Sequence, residues 1–456
     1  MIETTGAPAA SGDELFKVEV HGLDEIPTTQ RHGRPRELGF LWAGAFVNYA
    51  SLLTASLLTT YYGLGVWDGL AATAAGTICG AIILGLLSNS GPLTGRPQVV
   101  STRPIFGLAG MRVAALLTLF LAVGWFAVDS VIAALAGVQL LQEAGVAAAV
   151  ATKALFPWVL VIAAVSVLVA VYGHRTIKVF EAFGAVTFAV LSLALFAFLA
   201  PQMHWTAGPT AAGADYPGAF VLGFMTCFAL VASWYPFASD YSRYLPQGSG
   251  RAAVTWWPVV GVTLPMLGLG LFGLLLPTID PKLAAGSGVL AVITQHAPVA
   301  VAVPFFAFVV LGEIWANYLD VYTAGLVALA LGIRLPRWQT ALGCGLLGAL
   351  VATYAVVVRD FHAAYEQFLI LTYLWAPAWA AVALLGFFVL RPGPAWQALG
   401  AWAAGTVVSL VFVNYLNIFQ SGSFFNAGLI TSLHGADLSG LISVAVAGGV
   451  YSVLRR

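Results

Sequence analysis

Apolar runs of about twenty residues follow one another along nearly the whole chain, separated by short polar or glycine- and proline-rich breaks. Wound as a helix, a run of that length crosses the hydrocarbon core of a bilayer, about 30 Å thick. The pattern predicts twelve spans, near residues 39–62, 69–88, 113–141, 156–172, 180–200, 218–236, 256–276, 300–331, 338–358, 366–390, 396–415 and 438–454. The third and eighth are longer than a membrane requires, so they must tilt or extend beyond it. Two spans are interrupted. The first carries Asn48, Tyr49, Ala50 and Ser51 within an apolar helix. The sixth ends in Trp234, Tyr235 and Pro236 and runs into Ser239, Asp240, Tyr241, Ser242 and Arg243. Such interruptions free backbone groups that protein or a cavity must satisfy again. Discontinuous helices of this kind mark substrate sites in transporters. The two breaks lie five spans apart, which matches an inverted five-plus-five repeat. The expected fold is an all-α polytopic membrane protein of twelve transmembrane helices, with helices 1 and 6 broken. Its parts are a leader at 1–37, a first repeat at 38–200, a second at 218–390, and two added spans with a short tail at 396–456.

Composition supports the membrane reading. Of 456 residues, 60% are hydrophobic and 8% charged, against roughly 25% charged in soluble proteins. So few charges cannot cover a water-facing surface. Formal net charge is zero, which gives no footing for a nucleic-acid partner. The charges are unevenly placed. With the N-terminus as side one, that side holds all 19 Lys and Arg residues except Lys153, Lys282 and Arg359. Excess Lys and Arg mark the cytoplasmic side. A multi-pass protein of the cell membrane with both termini in the cytoplasm is therefore expected. The N-terminal stretch of roughly 35 residues is polar, so no cleaved signal peptide is expected. Cys79, Cys227 and Cys344 lie in apolar spans without metal spacing and read as small core residues. The 49 glycines suit close helix packing in lipid.

Chemistry concentrates in three carboxyl groups inside spans: Asp129 in the third, Glu313 and Asp320 in the eighth. Trp125 and Asp129 are four residues apart and share a helix face. Glu313, Asn317 and Asp320 fall at i, i+4 and i+7, again one face. No Lys or Arg lies at matching depth along the chain. Ionisable groups at such depth face a cavity or a partner. A carboxyl there takes up a proton, awaits a cationic ligand, or bonds to a neighbouring helix, and the pattern leaves all three open. Asp240 differs, because a helix-end contact or a local pair with Arg243 explains it without function. Most tryptophans in such chains belong to interfacial belts. Trp125 is mid-span and Trp234 precedes Pro236, so both are candidates to line a cavity for a flat aromatic solute.

Six stretches then carry a family resemblance: residues 18–27 with Arg31, 91–98, 103–110, 124–126, 238–246 and 322–326. In that order and on those spans they resemble the nucleobase:cation symporter-1 family, its purine–cytosine permease branch in particular. The resemblance implies an alternating-access symporter with the leucine-transporter-like fold. It implies a solute stacked between Trp125 and Trp234, with polar side chains of the third and eighth helices reading the ring edge. Asn48, Ser51 and Asn317 complete the expected substrate set. Asp129 and Asp320 stand where the family often has amides. A carboxylate accepts two parallel hydrogen bonds and donates none unless protonated. It suits an edge with adjacent N–H donors, as in a 2-aminopurine, a protonated aminopyrimidine or a cationic vitamin. Sodium-coupled members carry a hydroxyl pair on the eighth helix, where this chain has Trp315 and Ala316. Protons are therefore expected as the coupling ion over Na⁺, with Asp320, Glu313 or Asp129 as carrier.

The expected function is proton-coupled import of a nucleobase-like N-heterocycle of the cytosine or purine type. A cationic B vitamin or precursor (thiamine, hydroxymethylpyrimidine, vitamin B6) on the same fold is the alternative. A membrane-embedded enzyme has little footing, since the seven histidines show no metal spacing. No catalytic residue, metal or cofactor is expected. The expected partners are the heterocycle and the lipid bilayer, with the protein a monomer.

Overall fold

The computed structural model describes residues 22–170, 174–358, 374–414 and 426–456, with Tyr365, Phe368, Leu369 and Thr372. Residues 18–21 of the leader motif and most of 366–373, the opening of the tenth span, lie outside the described residues. So do 171–172 and 415, which end the fourth and eleventh. Every regular element among the described residues is helical. The helices that build the site are α1 (Pro35–Phe46), α2 (Tyr49–Thr60), α3 (Val66–Ser88), α4 (Arg103–Glu143), α5 (Leu155–Ala170), α6 (His174–Leu199), α7 (Asp215–Ala232), α8 (Ala238–Ser242), α9 (Arg251–Leu275), α10 (Val299–Ala330) and α11 (Arg337–Val358). They are followed by α12 (Ala376–Phe388), α13 (Ala395–Phe412) and α14 (Ser439–Leu454). Among the described residues, eight helices are long and apolar enough to cross a membrane, and the bent pair α1–α2 makes a ninth. Shorter apolar helices at Val186–Gln202, Ala376–Phe388 and Ser439–Leu454 fall in the fifth, tenth and twelfth expected spans.

The two long helices are α4, with 41 residues, and α10, with 32. Helical geometry breaks in α4 at Gly107, whose φ of 69° is open to glycine and costly for other residues. Pro104 stands in the first turn, where its missing N–H is not needed.

Packing divides these helices into two groups. In the first, α3 packs on α7 and α9, and α9 packs on both α1 and α2. In the second, α4, α5, α10 and α11 pack on one another. Close approach in the first group rests on glycine. A Cβ on Gly261 of α9 would collide with the Gly39 carbonyl of α1, and one on Gly76 of α3 with the Phe224 carbonyl of α7. Such contacts let backbones meet where lipid supplies no hydrophobic drive. The broken segment α2 touches α4 and α10, so it bridges the two groups.

The leader closes one face of the bundle. Arg31, its side chain fully buried, donates to the carbonyls of Ile26 (2.9 Å) and Pro92 (2.8 Å) and to Glu25 (3.1 Å). Arg243 donates to Gly22 O at 2.9 Å and to the Tyr322 hydroxyl at 3.2 Å. Asp240, expected in a local contact, reaches two other elements: it accepts from Gln98 N (2.8 Å) and Thr323 Oγ1 (3.0 Å). Gln98 Oε1 in turn accepts from Ser239 N at 3.1 Å. The stretches 91–98 and 238–246, far apart in sequence, are thus two halves of one buried polar tie.

Cys227 is buried, as expected of a small core residue, whereas Cys79 is exposed on the outer surface of α3. Glycine-rich α3 buries its small residues against α7 and α9, which leaves Cys79 on the remaining face.

Candidate functional site

The site is built around the bend between α1 and α2, where the two axes turn by 60°. Val47 leaves the helical region (φ −84°, ψ 65°) and Asn48 is extended (φ −138°, ψ 172°). A bend of this kind orphans amides at the start of the second segment. Local side chains satisfy part of the loss. Asn48 Oδ1 accepts from Ser51 N at 3.0 Å, and Asn48 Nδ2 donates to Ala45 O at 3.0 Å. Ser51 Oγ donates to Phe46 O at 2.8 Å, spanning the break. Asn48 and Ser51, expected at the substrate, have their side chains engaged in holding the bend.

Another amide finds a partner 264 residues away. Glu313 Oε1 of α10 accepts from Tyr49 N at 3.0 Å, and the Ala50 amide lies near this carboxyl. Of the three fates open to a buried carboxyl, Glu313 thus takes the bond to a neighbouring helix. An anion at a helix N-terminus is stabilised by the helix dipole. Asp129 of α4 lies against both Glu313 and Asp320. Three carboxyl groups therefore meet in one buried place, each no more than 3% exposed. Asp129 Oδ1 and Glu313 Oε2 have no hydrogen-bond partner among the described residues. Two carboxyls can bond one another only through a proton.

The aromatic residues fall into two clusters. Trp125 meets Phe368 (ring centroids 5.3 Å apart) and Tyr365 (6.3 Å) edge-on, and its Nε1 has no partner among the described residues. Tyr365 links that cluster to the broken helix, since its hydroxyl and Thr54 Oγ1 of α2 are 2.8 Å apart. Trp234 packs with Trp42 at 5.6 Å, Phe237 at 5.2 Å and Phe46 at 6.3 Å. The expected break of the sixth span is milder than that of the first. At Trp234 the α-helix gives way to one 3₁₀ turn, Tyr235–Phe237, and continues as α8, so Asp215–Ser242 counts as a single span. Pro236 sits in that turn near its start, where a missing N–H does little harm.

Asn317 and Trp315 of α10 each reach a neighbouring helix, and Asn317 Oδ1 is left without a hydrogen-bond partner among the described residues. Asn317 Nδ2 donates to Ser130 Oγ (3.1 Å) and Ser166 Oγ (3.2 Å), so its amide ties α10 to α4 and α5. Trp315 lies against Gly184 of α6. Glu313, two positions before Trp315, meets the broken helix. Tyr49, Thr54, Tyr365 and Trp42 were not among the expected residues. The polar break at 48–51 was the available signal for Tyr49, and nothing local marked the others.

Comparison with known proteins gives the family and the fold. Residues 25–395 match the model of a family described as permease for cytosine/purines, uracil, thiamine, allantoin. The chain belongs to this permease family. It is 26% identical to YxlA of Bacillus subtilis, named as a candidate purine–cytosine permease, over 97% of this chain and 96% of that one. It is 23% identical to the purine–cytosine permease FCY2 of Saccharomyces cerevisiae, over 91% of this chain and 81% of the relative. Among solved structures it is similar to Mhp1, a nucleobase–cation-symport-1 family transporter closed with bromovinylhydantoin bound. That match has a TM-score of 0.74 at 16% identity and covers 94% and 93% of the two chains. The permease has the fold of Mhp1 and is a multi-pass membrane transporter, not an enzyme.

Proposed function

We propose that this permease imports a planar N-heterocycle of the cytosine or purine type, together with a proton, by alternating access. One observation carries the reading: Asp129, Glu313 and Asp320 meet in a buried site beside the broken first helix. Asp129 Oδ1 awaits a donor, and an exocyclic amino group with its neighbouring ring N–H supplies one. Trp125, four residues before Asp129 on the same helix face, offers a π-surface for the ring. The remaining negative charge calls for a proton shared among the carboxyls. Trp234, just past the end of α7, is the second stacking candidate. Both termini are placed in the cytoplasm on the grounds of Lys and Arg distribution.

The same three carboxyls also suit a cationic heterocycle, and the family description includes thiamine. A cationic vitamin is accordingly the second reading. Uptake into proteoliposomes of labelled cytosine, competed by purines, pyrimidines and B vitamins, separates the two. Cytosine uptake that aminopurines compete with and thiamine does not supports the first, and uptake of labelled thiamine with none of labelled cytosine supports the second. A solute without N–H donors, such as a uracil alkylated on both ring nitrogens, competing as well as cytosine would remove the basis of both.

A further inference from the structure

The reading above leaves open which carboxyl governs the protein's shape. Two of the first three amides of α2 have different acceptors. Ser51 N bonds to Asn48 Oδ1 within the same segment. Tyr49 N bonds to Glu313, on α10 in the other helix group, and Ala50 N lies near the same carboxyl. The first arrangement is indifferent to pH, since an amide side chain does not titrate. The second depends on charge. An ionised carboxylate accepts strongly from amides and meets the positive end of the helix dipole. A protonated one loses that charge and gains an O–H to donate elsewhere.

The surroundings say where that proton would point. Glu313 is fully buried. The titratable groups facing it are Asp129 from α4, Tyr49 from α2 and Tyr365. Asp320, on its own helix, reaches it through Asp129. None of these is a cation. Glu313 Oε2 has no hydrogen-bond partner among the described residues, nor does Asp129 Oδ1. A proton arriving from the aqueous phase thus has a ready place between the two carboxyls.

We propose that Glu313 is a proton-operated latch on the broken first helix. Ionised, it holds the start of α2 to α10 and fixes the bend between α1 and α2. When it takes up a proton, its hydroxyl turns to Asp129, the hold on Tyr49 N slackens, and the bend is released. Glu313 is on this account a positioning residue. It acts on the substrate through α2 and through Asp129. The idea rests on the proton-coupled reading of the site and assigns the coupling to one bond.

The test is amide hydrogen exchange of the peptide spanning 46–54, by mass spectrometry on the purified full-length protein. It is run from pH 5 to 9 without substrate, with Glu313→Gln at each pH as the reference. Gln keeps the shape and still accepts from Tyr49 N, but it cannot titrate. The expected result is a ratio of wild-type to variant exchange that is low at high pH and rises by about fivefold as pH falls, the scale of losing one capping bond. A ratio flat across the range overturns the latch. If Glu313→Gln shows no cooperative thermal transition, Asp129→Asn takes its place as the informative variant. Removing the partner that shares the proton should move the pH of the exchange step, and an unmoved step overturns the proposal. A second measurement, proton-driven uptake in proteoliposomes, should show accumulation by the wild type and none by Glu313→Gln, and accumulation by that variant equal to wild type overturns the latch as well. Wild-type uptake indifferent to the proton gradient would instead count against the coupling reading. The exchange result stands apart from that, since it needs neither substrate nor gradient.

Discussion

At the scale of single residues, the departures from amide to acid carry the most information. Asp320 is fully buried on α10 and shares the Asp129 carboxyl with Glu313. Asp320→Asn keeps size and shape while removing charge and titration. For a cationic solute, or one presenting adjacent N–H donors, the amide sets an N–H against an N–H. Leaving a buried donor unpaired costs roughly 1–3 kcal/mol, so equilibrium binding should weaken about tenfold. The pH dependence of uptake should flatten at the same time. For a solute with one donor and one acceptor, binding should hold and only the pH dependence should fall. Isothermal titration with cytosine and then thiamine, paired with uptake at several pH values, reads both. Wild-type behaviour in both measurements would mean that Asp320 is a bystander. These acids were legible in the sequence because a carboxyl in an apolar run is conspicuous wherever it points. Which way each points was less legible. An α-helix turns by about 100° per residue, so a two-residue slip swings a side chain to the far side. Trp315 and Glu313, two residues apart, accordingly face different neighbours, Gly184 of α6 and the start of α2.

At the scale of elements, the run length of apolar residues located the spans well, because crossing a bilayer is a local requirement. The bend in the first helix was legible for the same reason: Asn48 and Ser51 interrupt the run and then cap the second segment. The sixth span was read as broken too, but a 3₁₀ turn takes up Pro236 and the span continues without a bend of the size seen in the first. The bond from Glu313 to Tyr49 joins positions 264 residues apart, and no local pattern announces it. Glycines give an element-scale prediction with a built-in control. Both Gly261 and Gly268 lie on α9. A Cβ at Gly261 strikes the Gly39 carbonyl, whereas nothing lies within 4 Å of one at Gly268. Gly261→Ala should push α1 from α9 and cost about 1–3 kcal/mol, as overpacking does. Gly268→Ala should be neutral or slightly stabilising, because alanine favours a helix over glycine by up to ~1 kcal/mol. Thermal unfolding of the two variants in one detergent decides it. Equal midpoints would mean that the α1–α9 crossing is looser than its geometry.

At the scale of the whole molecule, one face is tied and basic. The leader, the 91–98 stretch and the 238–246 stretch interlock there through Arg31, Arg243 and Asp240. At the chain's other end, Arg455 donates to the Arg391 carbonyl at 2.7 Å, so the C-terminus and the turn before α13 meet on that same face. The opposite face carries the turn after α2, where Thr210 N and Ala211 N bond to the Gly63 carbonyl at 2.9 Å each. With the basic residues gathered on the leader side, the positive-inside rule leads us to propose that the tied face lies in the cytoplasm. Two glycines in open positions test this directly. Gly248 lies in the turn between α8 and α9 on the leader face, and Gly208 lies before α7 on the other; neither has an atom within 4 Å of an added Cβ. Each replaced by cysteine, in separate variants, should fold as the parent does. A membrane-impermeant maleimide applied to intact cells should label Gly208→Cys and leave Gly248→Cys unlabelled until the membrane is opened. The parent, with Cys79 exposed on a membrane-facing helix, sets the background. Labelling of Gly248→Cys from outside would invert the molecule. The leader would then close the outer mouth, and the import direction proposed for the proton and the heterocycle would have to be argued again from the opposite face.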